Sequence, residues 1–70
     1  MSLKRHSIVT GRCYRDSFGA IWRVVSFDGN GVSCVLYHRD AATGATVERP
    51  HAETWENFLA DLEGEVASPT

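Results

Sequence analysis

The 70-residue chain has two cysteines, two prolines, one methionine and, after Lys4, no lysine at all. Two cysteines are too few for a disulfide framework, so Cys13 and Cys34 are expected as reduced thiols. Lys4 and Arg5 are not followed by an apolar stretch, so the opening does not read as a secretory signal. No apolar run approaches the roughly 18–20 residues that cross a bilayer. These absences lead to the expectation of a cytoplasmic protein with no membrane partner. A Gly-rich phosphate loop is missing too. Gly29-Asn30-Gly31 joins extended segments and opens no helix, so it reads as a turn.

What is present is an ordinary globular composition, 43% hydrophobic and 23% charged. A chain of this length supports one domain and buries only about 60% of the surface its unfolded form exposes. Large apolar residues are therefore read as core first. The expected core comprises Trp22, Val24, Leu36, Val47, Trp55, Phe58 and Leu62, with Tyr14 or Tyr37 partly buried. The net charge of −2 hides an asymmetry. Residues 1–50 hold all seven Lys and Arg against four carboxylates; residues 51–70 hold five carboxylates and no Lys or Arg. A basic sheet beside an acidic helix is the plain reading, and a surface that orients a charged partner is the sharper one.

Residues 1–10 read as a flexible arm, with Ile8-Val9 as a candidate extra strand. Strands are expected near 12–15, 20–27, 32–38 and 45–49 in a single domain over 11–64. Asp16-Ser17-Phe18-Gly19 has type I turn chemistry, an Asp that bonds forward and a Gly at the last position. Asp28-Gly29-Asn30-Gly31 predicts a tight hairpin in which Gly and Asn adopt positive φ. Pro50 cannot donate to a ladder, so the fourth strand ends there or lies at an edge. Trp55, Phe58, Leu59 and Leu62 fall at i, i+3, i+4 and i+7, which predicts a helix over about 52–63 with Gly64 as its cap and 65–70 as a frayed tail. The Tyr14-Arg15-Asp16 and Tyr37-His38-Arg39-Asp40 segments echo one another, and repeated turn chemistry explains the echo better than duplication. Short strands ending in a helix give a mostly β fold, a small SH3-like antiparallel β-barrel of four to five strands with a C-terminal α-helix.

Chemistry-bearing patterns are sparse. Cys34 and His38 share a strand face, and Cys13 and His51 add ligand types, but no short Cys or His spacing of a zinc site occurs. A Cys–His nucleophile pair lacks a nucleophile turn and an orienting third group. No metal, cofactor or catalytic residue is expected, and the chain does not read as an enzyme. Two binding readings remain. A protein-interaction module, its partner another protein or a second copy, predicts an exposed apolar patch around Phe18, Phe27 or Tyr37 rimmed by Arg and Asp. The alternative, a nucleic-acid-binding small barrel, predicts that Arg12, Arg15, Arg23 and Arg39 converge on one face beside a free aromatic ring. The negative net charge and the single lysine favour the first.

Gly11-x-x-Tyr14-Arg15-Asp16, then Gly19, Trp22-x-Val24, Val35-x-Tyr37, Arg49-Pro50 and Phe58, resembles short bacterial and phage-encoded proteins of unknown function. Their opening is Gly-x-x-Tyr/Trp-Arg-Asp and their late signature is Arg-Pro followed by an aromatic. The resemblance spans about residues 11–59; the six-residue loop from Arg39 to Gly44 and a longer acidic helix depart from it. It implies an SH3-like barrel and a phage or mobile-element setting, and it brings no catalytic residues.

Overall fold

Hairpin chemistry organises the chain. The computed structural model describes residues 4–69 and holds five strands: β1 (Cys13–Asp16), β2 (Ile21–Phe27), β3 (Gly31–Arg39), β4 (Thr46–Thr54) and β5 (Leu62–Val66). One helix, α1 (Trp55–Ala60), joins β4 to β5, and a 3-10 turn at Arg5–Ser7 precedes β1. All pairings are antiparallel and form a single sheet in the order β4-β3-β2-β1-β5. β4 and β5 are its edges, so strand pairing does not close the sheet on itself.

Each of the first three hairpins is opened by an aspartate. Asp16 Oδ1 accepts from the N–H of Phe18, Asp28 Oδ1 from Asn30 and Asp40 Oδ1 from Ala42. In each case the carboxylate bonds two residues ahead and satisfies a turn N–H that the ladders cannot reach. The echo between residues 14–19 and 37–44 is thus shared turn chemistry. Positive φ is found at Gly11, Gly19 and Gly44 alone among the described residues. The expected positive φ in the second hairpin is therefore corrected. Asp28 Oδ1 takes both Asn30 and Gly31 N–H, and that turn needs no left-handed residue.

The helix is shorter than its apolar stripe predicts. β4 stays paired to β3 through Gly31↔Thr54, beyond the expected end at 49. Pro50 is accommodated because β4 is an edge strand. Thr54 then caps α1, its hydroxyl accepting from Asn57 N–H at 3.2 Å. The helix ends at Ala60, and residues 62–66 form β5 along β1, the strand that displaces the expected Gly64 cap and takes in the first two residues of the expected tail. Leu62 fits the i+7 position of a helix but reaches the core from a strand, so period alone could not separate the two. The fifth strand is this one and not Ile8-Val9. Residues 1–3 of the expected arm and Thr70 of the expected tail lie outside the described residues.

The core cluster joins Ile8, Tyr14, Val24, Val32, Cys34, Trp55, Phe58 and Leu62, with Trp22 and Leu59 packed against it. Trp22, Leu36 and Val47 are half-buried, less than expected, while Tyr14 is almost fully enclosed. The Tyr14 hydroxyl accepts from Val9 N–H and donates to the Ser7 carbonyl. Those bonds satisfy its polar tip and tie the segment carrying Ile8 to the sheet. Trp55 donates its indole N–H to the Asp28 carbonyl at 2.6 Å and packs edge-on against Phe27 and Phe58. Burying each such ring contributes on the order of 1.5–3 kcal/mol. No helix is long and apolar enough to cross a membrane among the described residues.

Candidate interaction cleft

Strand register decides which of the sequence-nominated residues meet. Arg15 lies opposite Ile21, Ile21 opposite Tyr37 and Tyr37 opposite Glu48; Cys13, Arg23, Val35 and Pro50 form the next row. Cross-strand partners share a face and alternate residues do too, so Arg15, Arg23, Tyr37 and Arg39 belong to one side of the sheet. Arg12 has the opposite parity. The four arginines therefore do not form a single patch. Three of them are also neutralised: Arg12 by Glu65 at 2.8 Å, Arg15 by Glu63 at 3.6 Å and Arg23 by Glu48 at 3.4 Å. Its bond to Glu65, with that carboxylate's charge, raises the Arg12 pKa above its ordinary value.

Tyr37 is buried, 7% exposed, and its hydroxyl accepts from Arg23 Nε. It offers no free ring. Phe27 is half in and half out, 44% exposed with one edge on Trp55. Phe18 is different: 82% of it is exposed. Its turn is nonetheless firmly built. Gly19 N–H donates to the Asp16 carbonyl, Ala20 N–H to Asp16 Oδ1, Asp16 N–H to the Ala20 carbonyl and Ser17 N–H to the Asp61 carbonyl. The last bond fastens the turn to the chain just after α1. Gly19, at φ 85°, supplies the left-handed residue that ends the turn.

Between this turn and α1 lies a cleft of about 190 Å³ lined by Asp16, Phe18, Trp22, Glu53, Asn57, Phe58 and Asp61. Trp22 is held in its wall by a 3.0 Å hydrogen bond from its indole N–H to Asp16 Oδ2. Glu53 stands at the other side, its carboxylate in contact with His51 Nε2. His51 in turn lies against the Trp22 ring, 5.2 Å between centroids. Three aromatic rings and three carboxylates line this space, and no Lys, Arg or His does.

Of these lining residues the sequence points to Phe18 as a contact residue and to Trp22 and Phe58 as core, while nothing local marks Glu53, Asn57 or Asp61 as its neighbours. One signal was available. A large apolar side chain at the third position of an Asp-x-x-Gly turn points where a small domain has nothing to pack against it.

Comparison of the chain with protein-family models, with curated proteins and with solved structures finds no match.

Both cysteines are free and buried. Cys34 Sγ donates to the His51 carbonyl at 3.5 Å, and burial, with Glu53 nearby, pushes its thiol up to about 11. A thiol so placed stays protonated near neutral pH. Among the described residues no three His, Cys, Asp or Glu side chains gather as metal ligands would.

Proposed function

We propose that this protein is a non-catalytic protein-interaction module whose contact surface is the cleft between the β1–β2 turn and α1. The observation that carries the reading is Phe18, a ring left in water on a turn that its hydrogen bonds hold rigid. Exposing an apolar ring contributes nothing to folding, and a pinned presentation lowers the entropy lost when a partner covers it. Nucleic-acid binding ranks second. Arg15, Arg23 and Arg39 share a face, but two of the three have carboxylate partners and no exposed ring stands among them. The finer fold assignment, an SH3-like arrangement, is part of the same proposal. Its support is the strand order, with β1 between β2 and β5, and a single short helix connecting β4 to β5.

Peptide-display selection on the folded domain, paired with Phe18→Ser, tests the reading. Phe18 packs little, so the variant should melt within about 0.5 kcal/mol of the parent. Selected peptides should bind the parent and lose at least about tenfold on the variant, as an exposed aromatic anchor requires. Peptides indifferent to Phe18 would remove the cleft. Titration with mixed oligonucleotides at two salt concentrations is the counter-test, because phosphate contacts weaken steeply with salt. Tight, salt-sensitive binding would put the nucleic-acid reading first.

A further inference from the structure

We infer that the occupant of the Phe18 cleft is a cationic side chain, an arginine or lysine carried by an exposed segment of a partner protein. The inference rests on the interaction reading above and adds the chemistry of the ligand. Its ground is charge complementarity inside an aromatic pocket. Phe18, exposed, and Trp22, half-buried, supply ring surface, with Phe58 behind them in the core, and ring faces attract a cation within about 6 Å. Asp16, Glu53 and Asp61 supply negative charge around that surface.

The carboxylates are not equivalent. Both Asp16 oxygens are engaged, Oδ1 by the Phe18 and Ala20 N–H groups and Oδ2 by the Trp22 indole. The Glu53 carboxylate meets His51. Asp61 contributes its backbone carbonyl to Ser17, and its carboxylate has no hydrogen-bond or ionic partner among the described residues. It is therefore the acceptor left for an incoming N–H, while Asp16 fixes the tryptophan and adds its charge at longer range. A guanidinium or ammonium entering the cleft beside the exposed Phe18 ring meets Asp61 without displacing any bond the protein makes to itself. An anionic or neutral polar group would gain no such partner.

The cleft is small, so it holds one side chain and not a whole motif. Affinity for an isolated residue is accordingly weak, in about the millimolar range, and rises when flanking residues add contacts. Charge selectivity, not tightness, is what the pocket supplies.

Two-dimensional amide NMR of the intact chain tests this, with N-acetyl-arginine amide as probe and N-acetyl-citrulline amide as its neutral isostere. The Trp22 indole N–H and the Asn57 and Asp61 amides report on the cleft; the Trp55 indole N–H, bonded to Asp28, reports on the fold. Arginine amide should move the cleft signals saturably and leave Trp55 still. The citrulline analogue should bind at least about threefold more weakly, the fold-change expected when one exposed cation–π contact and one ion pair are removed. Asp61→Asn should reduce arginine binding by a similar factor without shifting Trp55, whereas citrulline binding should not change. Equal binding of arginine and citrulline analogues would overturn the cation preference and leave the cleft as a docking point. No movement of the cleft signals by either probe, together with selected peptides that do require Phe18, would likewise overturn the cation inference alone. Loss of both would overturn the interaction reading with it.

Discussion

Asp16→Ala should be among the most destabilising single changes available outside the apolar core. Asp16 is half-buried, and its carboxylate accepts three hydrogen bonds: Phe18 N–H and Ala20 N–H at 2.9 Å, and the Trp22 indole at 3.0 Å. Hydrogen bonds to charged acceptors are worth about 1.5–3 kcal/mol each when well shielded. Taking about 1 kcal/mol for each in this partly solvated turn gives about 3 kcal/mol for the alanine variant. A domain of this length holds roughly 3.5–10 kcal/mol in total at the usual per-residue stability. The loss should lower the melting temperature by about 12–24 °C.

Asp16→Asn separates the two oxygens. An asparagine keeps a carbonyl for the backbone donors, but its NH2 would confront the Trp22 indole N–H, donor against donor. The expected cost is about 1–2 kcal/mol, and Trp22→Phe should cost a similar amount through the same bond. Combining the two should cost less than the sum by about 1 kcal/mol, since the second change removes a bond already lost. Urea denaturation followed by tryptophan fluorescence, with unchanged m-values, measures all four corners. An alanine variant within 0.5 kcal/mol of the parent, an order-of-magnitude bar for surface changes, would refute the claim that this carboxylate builds the turn.

Three further outcomes are expected. Gly31→Ala should cost about 2 kcal/mol, because a Cβ there would run into the Glu53 carbonyl oxygen, while Gly29→Ala, facing open space, should stay within about 0.5 kcal/mol; chemical denaturation of both checks it. Phe58→Ala should cost about 3–5 kcal/mol by emptying the contact between α1 and the sheet, and an unchanged melting temperature would show that the helix does not depend on it. Cys34 should make stability fall with pH above the ordinary thiol value of 9.0. The unfolded chain releases that proton first, whereas the folded chain holds it until about 11, so the contribution is complete below 9.0 and gone above about 11. The loss is at most about 2–3 kcal/mol, read as the difference in alkaline slope between the parent and Cys34→Ala.

Local chemistry was the legible part of this sequence. The Asp16 and Asp40 turns, the hairpin at Asp28 and the extended character of residues 20–38 all follow from side chains acting on nearby backbone. Turn geometry in the second hairpin was misjudged because one aspartate satisfied both N–H groups that a primed turn would have handled otherwise. The C-terminal third was harder. Residues 55, 58, 59 and 62 match a helical stripe in sequence, yet the chain leaves the helix at Asp61 and Leu62 continues as β5 because β1 offers it an unpaired edge. No local signal in 62–66 announces that, since pairing with residues some fifty positions earlier decides it. The candidate cleft was half legible for the same reason. Phe18 declares itself on a turn, but Glu53 and Asp61 join it only once β4 and β5 are in place.

Charge shows the same dependence on topology, and there it bears on function. The sequence places its basic residues first and its acidic residues last, as if for two opposed faces. Pairing β5 with β1 instead lays Glu63 and Glu65 beside Arg15 and Arg12, and pairing β4 with β3 brings Glu48 to Arg23. Exposed pairs of this kind add little stability, about 0–1 kcal/mol each. Their larger effect is subtraction: they cancel most of the positive charge on the sheet. Among the cleft-lining groups no cation pairs with Asp61, and the hydrogen-bond partners of Asp16 are all neutral donors. Arg39, with no carboxylate partner among the described residues, stands at the far end of β3 from the β2–β3 turn. The charged groups that line the cleft are therefore carboxylates with no Lys, Arg or His among them, the sign that the inferred cationic occupant requires.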